Sequence, residues 1–436
     1  MTSGQRLRIL AVAEAANPEW TSVPLVGWSL AHALREVADV HIVTQVRNRD
    51  AILRAGLREG IDFTAIDSEA IARPVHRASE LLRMGKGKGW TITTALSSRL
   101  AYPHFERLVW RQFRDRLVAR EFDLVHRITP LTPAANSSLA ARCKRIGLPF
   151  VLGPINGGVP WPPGFNAERW REREWWSYAR GLYKFSPARR RMMQSCTGII
   201  AGSRIAEGEL PVSCAGKTTR IPENGVDLSR FNLRAAQPGT LPLRGCFVGR
   251  LVPLKGVDIL IEAATPLLRD GRLKLDLVGS GPLESSLREL VDREGLQDAV
   301  TFHGWLAHAE VQCVLAQAQL LTFPSIREFG GGVVLEAMAL GVVPMVCDYA
   351  GPAELVTSKT GIKVPIGSRA EVVASFRSAL HRVVEDPGIL SGMADKARAE
   401  IEARYTWQRK AQQIIEVYKW ALAPNGPIPA PFGQAQ

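Results

Sequence analysis

Apolar residues along the chain fall into two kinds of pattern. Short runs rich in Val, Ile and Leu recur between longer stretches whose apolar residues return every three or four positions. The runs Leu7–Ala13, Val40–Thr44, Leu124–His126, Phe150–Gly153 and Gly198–Ala201 predict a first series of strands. A second series is predicted at Gly245–Val248, Leu273–Val278, Val300–His303, Leu320–Pro324 and Pro344–Cys347. Strands separated by helix-length segments build parallel sheets, so each series predicts a doubly wound α/β domain. The stretch Ala235–Thr240, small residues with one Pro and one Gly, predicts a linker between them. A terminal helix is predicted at Trp407–Leu422 with Ile414, Ile415 and Tyr418 on one face, and the Pro- and Gly-rich tail after Pro424 is expected to be loose. Sheets of this kind take ligands at the carboxyl ends of their strands, so the strand ends are the segments to read for chemistry.

Composition narrows the class. At 436 residues the chain exceeds one ordinary core, and 46% hydrophobic with 22% charged residues is a globular balance. No apolar run reaches the roughly 18 residues that a bilayer-crossing helix needs. Met1–Gln5 lead into the first strand without a signal-peptide core, so a cytoplasmic location is expected. The six cysteines (Cys143, Cys196, Cys214, Cys246, Cys313 and Cys347) lie outside metal-ligand or redox spacing and predict reduced, mostly buried thiols. Charge is lopsided: residues 1–200 hold 30 Lys and Arg against 17 Asp and Glu, whereas residues 201–436 hold 25 of each. A basic first half suits something anionic, such as a phosphate-bearing acceptor, an anionic membrane surface or nucleic acid. Nucleic acid is set aside because no recognition element accompanies the charge.

The most informative segment runs from Pro324 to Met338. A strand ends, Gly330-Gly331-Gly332 follow, and an apolar helix is predicted to begin near Val333. Glycines let backbone N–H groups approach a ligand, and a helix N-terminus favours negative charge. Glu328 precedes the helix and Glu336 sits in its early turns, where carboxylates can accept hydrogen bonds from sugar or ribose hydroxyls. Earlier, Val248-Gly249-Arg250 ends a strand and Lys255-Gly256 opens a helix. The Arg fork and the mobile Lys charge can together neutralise a diphosphate leaving group.

These segments resemble the family-4 retaining glycosyltransferases of the GT-B fold (glycosyl transferases group 1), which carry two glutamates with seven residues between them, the second opening a helix that reads Glu-Ala-Met-Ala. The resemblance implies that Glu328 contacts the donor sugar and Glu336 the ribose, and that Arg250 and Lys255 stabilise the leaving diphosphate. One departure stands out: the family has Gly between its first glutamate and the Phe, whereas Phe329 follows Glu328 directly. By the same resemblance Gly249, Gly279, Gly281, Gly331, Gly332 and Val333 line the donor phosphates. Read alone, Gly279-Ser280-Gly281 is a weak dinucleotide hint, since Glu284 occupies the third glycine's place. Phe302-His303-Gly304-Trp305 resembles the family's strand end beside the base, with uracil and guanine both open.

The first half follows the family less closely. Asp123-Leu124-Val125-His126 resembles an Asp-x-x-His whose imidazole sits by the donor sugar, and a structural histidine is the competing reading. The family's Gly-Gly pair after the first strand is missing. The loop Pro18–Ser29 carries Trp20, Trp28 and Gly27, and Gly27, expected just before a helix Trp28–Val37, is the residue left to meet the donor diphosphate in the pair's place. Asn156, Gly157 and Gly158 open a glycine loop expected on the acceptor side. Pro222–Asp227 resembles the family's Asn-Gly-Val-Asp turn, with an ordinary turn equally open. A helix Pro103–Arg120 would bury Phe105, Leu108, Val109, Phe113 and Leu117 and expose Arg107, Arg111 and Arg114. With Lys86, Lys88 and Arg189-Arg190-Arg191 nearby, this reads either as an anionic-membrane surface or as a solvated helix back.

The expected fold is therefore α/β, GT-B, with two Rossmann-like doubly wound sheets. Residues 1–230 form the acceptor domain, 231–406 the nucleotide-sugar domain, 407–424 a helix returning to the first domain, and 425–436 a loose tail. The expected activity is retaining transfer from a UDP- or GDP-sugar to a saccharide or lipid-linked acceptor in polysaccharide or glycolipid assembly. The protein would be cytoplasmic or peripheral at the inner face of the membrane. No metal or other cofactor is expected, because two cations do the neutralising and no Asp-x-Asp pair is present. The rivals are a nucleotide-sugar epimerase and a non-catalytic membrane-associated scaffold of the same fold.

Overall fold

The computed structural model describes residues 6–82, 100–172, 183–235 and 241–433, which fall into two compact units. Lys86, Lys88 and residues 236–240 of the expected linker lie outside the described residues.

Unit 1 comprises Met1–Gly158, Trp176–Glu223 and Trp407–Gln436. Its parallel sheet contains β1 (Arg8–Ala13), β2 (Asp39–Gln45), β3 (Phe63–Ile66), β4 (Leu124–Thr129), β5 (Phe150–Ile155), β6 (Gly198–Ala201) and β7 (Thr218–Arg220), in the order β3-β2-β1-β4-β5-β6-β7. Side chains alternate across a strand, and in β1 both alternations are apolar. Ile9, Ala11 and Ala13 enter a core under the helices Val23–Val37 and Trp407–Leu422. Leu10 and Val12 enter another, under the helix Tyr102–Val118. The strands missing from the sequence reading, β3 and β7, are the two edges of this sheet. Phe-Thr-Ala-Ile and Thr-Thr-Arg are too short and polar to show as apolar runs.

The helix Tyr102–Val118 buries Phe105, Val109, Phe113 and Leu117 and leaves Arg107, Arg111 and Arg114 exposed. Its Glu106 is fully buried and accepts N–H bonds from Ser138 (2.6 Å) and Leu139 (3.2 Å), which caps the helix Ser138–Arg145. Arg190 and Arg191 are exposed. Arg189 is not part of that surface: it is buried, donating to Glu209 O at 3.0 Å and lying 5.4 Å from the Tyr183 ring centre.

The helix Trp407–Leu422 lies on Val23–Val37 through Ala411, Ile414, Val417, Tyr418 and Ala421, whose spacing of three and four keeps one apolar stripe inward. The tail beyond it is not loose as far as residue 433. Ile428 is buried, Thr219 Oγ1 donates to Pro429 O at 2.5 Å, and Arg220 donates to Phe432 O at 2.6 Å.

His126 is corrected by its surroundings. It lies wholly buried in β4, where Nδ1 accepts the Tyr418 hydroxyl at 2.6 Å and Nε2–H donates to Gly153 O at 2.6 Å. Both ring nitrogens serve the protein, tying the terminal helix to β4 and β5, so the imidazole is not offered to a sugar.

Unit 2 comprises Val159–Trp175 and Asn224–Thr406. Its parallel sheet contains β8 (Leu243–Val248), β9 (Leu273–Val278), β10 (Val300–Gly304), β11 (Leu320–Phe323), β12 (Val343–Cys347) and β13 (Ile362–Val364), ordered β10-β9-β8-β11-β12-β13. The expected division at residue 230 is corrected twice. The boundary falls between Glu223 and Asn224, and Val159–Trp175, here called the strap, packs with unit 2 although in sequence it comes between β5 and β6 of unit 1.

Burial drives the His126 pKa down to about 4. The unfolded imidazole takes up a proton below pH 6.5 that the folded one refuses, so stability falls as pH drops from 6.5 towards 4, by up to about 3 kcal/mol for this group. The melting temperature should decline across that window. In His126→Gln it should start lower at pH 7 and decline less, leaving the slope due to His41, whose pKa burial also lowers. An undiminished slope in the variant would contradict the assignment.

Candidate functional site

In unit 2 the strand order turns at β8, which lies between β9 and β11, and doubly wound sheets open their ligand crevice at such a point. Three loops meet there. Gly249, at φ 156°, donates its N–H to Val278 O at 2.9 Å, and Leu251 donates to Ser280 O at 3.0 Å. A Cβ on Gly279 would stand 1.9 Å from Gly249 O, and one on Gly281 2.4 Å from Leu251 O. The loops after β8 and β9 therefore lie backbone on backbone.

The third loop is drawn in the same way. Gly256, left-handed at φ 66°, leaves 2.6 Å between a Cβ position and Pro324 O, and Ile326 donates to Leu254 O at 3.0 Å. This contact places Lys255 against Glu328, and the two form an ion pair. The Lys255 ammonium also lies 5.0 Å from the Phe323 ring centre. Arg250 is exposed on the loop that begins at Gly249.

Past Glu328, the left-handed Gly331 (φ 69°) precedes the helix Gly332–Leu340, which starts one residue earlier than expected. Gly332 and Val333 lie in its first turn, where a helix leaves N–H donors without intrahelical partners. The Asn224 side chain of the Asn-Gly-Val-Asp turn sits beside Gly332, with Oδ1 3.4 Å from a Cβ position there. Glu336, in the second turn, accepts from His308 Nε2 at 2.8 Å. Of the sequence-predicted donor-site residues, the structure thus brings Gly249, Arg250, Lys255, Gly279, Gly281, Glu328, Gly331, Gly332, Val333 and Glu336 to one end of one sheet.

The sequence reading missed the strap. Arg327, buried, donates Nε–H to Val159 O at 2.8 Å and has the Trp161 and Phe329 rings each 5.3 Å from its guanidinium carbon. Tyr349 donates its hydroxyl to Pro160 O at 3.0 Å. The strap helix Asn166–Arg171 packs on the turn Pro253–Lys255. The strap therefore backs both the Lys255 loop and the Glu328 loop, and Phe329, where the resemblance leads one to expect Gly, is part of that stack. His308 was also missed, because it lies 28 residues from Glu336 in sequence and only the fold joins them. At the end of β10, Trp305 is 63% exposed, and the His303 imidazole is bonded to Asp276 at 2.7 Å.

Unit 1 holds the remaining predicted residues. Gly27 is not in a loop before a helix: it is the fifth residue of Val23–Val37, past the turn with unengaged donors. Its missing side chain lets the helix pass the loop after β1, since a Cβ would lie 2.0 Å from Ala15 O. Trp28 is buried and stacked on His32 at 4.9 Å, whereas Trp20 is exposed. Asn156 follows β5, donates to Glu223 at 2.5 Å and accepts from Gly157 N–H at 2.8 Å and Ser203 at 3.2 Å. Gly157 and Gly158 have φ of 142° and 76°, and a Cβ on Gly158 would meet the Glu209 carboxylate at 2.5 Å. These three form a pinned strand-end loop. Among the described residues no helix is long and apolar enough to cross a membrane.

Residues 243–386 match the family described as Glycosyl transferases group 1. The chain is 31% identical over 175 residues to the alpha-D-kanosaminyltransferase of Streptomyces kanamyceticus, covering 40% of this chain and 44% of that protein. It is 26% identical over 307 residues to WcaL of Salmonella typhimurium, a glycosyltransferase named for colanic acid biosynthesis, covering 65% and 74%. The match to the first relative thus spans less than half of its length. Among solved structures, Anabaena HepE in complex with UDP and glucose superposes with a TM-score of 0.60 at 18% identity, covering 95% of this chain and 99% of that one. At that identity the likeness shows the fold, two parallel-sheet Rossmann-like domains of the GT-B class.

Gly279→Ala should damage unit 2 more than an ordinary left-handed glycine does. Its Cβ has to displace the Gly249 carbonyl, an overpacking cost of about 1–3 kcal/mol on top of its backbone strain, whereas Gly271→Ala, with nothing within 4 Å, carries only the left-handed backbone penalty of about 1–2 kcal/mol. Melting temperatures of the two variants check this, and equal losses would contradict the backbone-on-backbone contact.

Proposed function

We propose that the chain, which belongs to glycosyl transferases group 1 through residues 243–386, moves a sugar from a nucleoside diphosphate donor to an acceptor hydroxyl with retention of configuration. The observation that carries this reading is the convergence of Arg250, Lys255, Glu328, the Gly331–Val333 turn and Glu336 at one end of the unit 2 sheet. Lys255 and Glu328 share one spot, so a donor that sets its phosphates on the lysine sets its sugar beside the glutamate. The first-turn N–H groups of Gly332 and Val333 take phosphate oxygens, and Glu336 accepts from the ribose hydroxyls.

In the reaction the bond from the anomeric carbon to the diphosphate oxygen breaks, and a bond to the acceptor oxygen forms on the same face. The acceptor proton passes to the leaving phosphate, so no side chain serves as nucleophile. Arg250 and Lys255 meet the charge that develops on the diphosphate, a preorganised electrostatic role that needs no metal. The UDP and glucose bound to the similarly folded HepE support a nucleotide-sugar donor. The acceptor is a saccharide or lipid-linked saccharide in glycan assembly. Exposed Arg107, Arg111, Arg114, Arg190 and Arg191 on unit 1 favour one that bears negative charge or lies at an anionic surface.

The test is a screen of the purified protein against UDP-, GDP- and ADP-sugars for binding and slow hydrolysis, with chelator present. One donor should bind saturably. Lys255→Ala and Glu336→Ala should each weaken it about tenfold or more, the loss of one charge-assisted hydrogen bond. Activity lost to chelator and restored by manganese would overturn the metal-free part. No binding by folded protein would overturn the transferase reading and favour a scaffold.

A further inference from the structure

We infer that His308 is a positioning residue of the donor site, holding Glu336 in the rotamer that receives the ribose hydroxyls. The inference rests on the reading of Glu336 as the ribose ligand and adds a residue that neither the motif nor the family match assigns. His308 opens the helix His308–Leu315 and reaches across to the helix Gly332–Leu340, where its Nε2 meets Glu336 Oε1 at 2.8 Å. The ring is itself held: Phe231 lies edge-on, 5.2 Å between centroids at 66°. Both members of the pair are largely covered, with side-chain exposures of 27% and 18%.

A glutamate on a helix has three rotatable bonds, and an unrestrained one loses rotamer freedom each time it binds. A partner that fixes it beforehand removes that cost from the binding step. The geometry leaves the work divided. A carboxylate offers about four lone-pair positions on two oxygens, so His308 on Oε1 leaves Oε2 open to a vicinal diol. The hydrogen bond His308 donates to Glu336 also holds the His308 pKa above its ordinary value, keeping the pair together as an ion pair on the acid side. Arg230 opposes its protonation and pairs with Asp227 at 3.7 Å, and Glu310 of the same helix is engaged elsewhere, its carboxylate accepting from Ala307 N–H.

The experiment uses the full chain and isothermal titration with UDP, GDP and ADP. The nucleotide that binds is then compared with its 2′,3′-dideoxy counterpart in wild type, His308→Leu, His308→Gln and Glu336→Gln, each first checked for an unchanged melting temperature. His308→Leu is expected to weaken the ribonucleotide about tenfold, one hydrogen bond to a charged group, and the dideoxy form less than about twofold. His308→Gln, whose amide can still donate, should stay within about twofold of wild type. A His308→Leu effect that is absent, or equal for both sugars, overturns the positioning role while leaving the ribose role of Glu336 standing. If Glu336→Gln leaves both affinities unchanged, or if no nucleotide binds, the ribose reading fails and the positioning role with it.

Discussion

Everything proposed for unit 2 depends on three loops lying closer together than side chains permit. Gly279 over Gly249, Gly281 over Leu251 and Gly256 under Pro324 put carbonyl oxygens where a Cβ would otherwise stand. Once the loops after β8, β9 and β11 are stacked in this way, the positions of Lys255 and Glu328 follow from backbone geometry rather than from side-chain reach. Glycine in such loops is usually explained by the approach of a ligand. Here the nearer cause is the approach of the chain to itself, and the surface left for a ligand is what that packing shapes.

Charge is managed in pairs at this edge. Lys255 faces Glu328 and Glu336 faces His308, so each carboxylate proposed for the donor already has a cationic or hydrogen-bonding neighbour. Isolated charges in a partly covered crevice would carry a desolvation penalty, and pairing offsets it. Buried His126 shows the opposite arrangement in unit 1. Denied an anionic neighbour and bonded to a hydroxyl and a carbonyl, it stays neutral and serves to join the terminal helix to the sheet.

How much of this could be read from the sequence depended on how local each signal is. The central strands announce themselves because a strand buried on both faces is apolar along its length, and β6 and β9 have the ends that their runs predict. Edge strands such as Thr218–Arg220 and Ile362–Val364 lack that signal. In the candidate site, Arg250, Lys255, Glu328 and Glu336 stand on contiguous motifs and could be proposed from sequence, while His308 and the Trp161–Arg327–Phe329 stack join segments far apart in sequence. His126 misled because a strand-end Asp-x-x-His looks the same whether the ring faces a crevice or the interior. Gly27 misled because helix Val23–Val37 begins with Val23-Pro24, an N-terminal proline signal masked by the surrounding loop-like residues.

The strap gives the chain an interleaved assembly order. Val159–Trp175 is synthesised before any strand of the sheet on which it packs, so Trp161 and the helix Asn166–Arg171 have no partner until β8 to β13 follow. The second unit, in turn, is complete at Thr406, whereas the first still lacks Trp407–Leu422 and the Tyr418 hydroxyl that holds His126. On a ribosome that releases the chain from its N-terminus, the half made first is the last to close, and its apolar helix-binding face waits uncovered through the synthesis of the whole of the other.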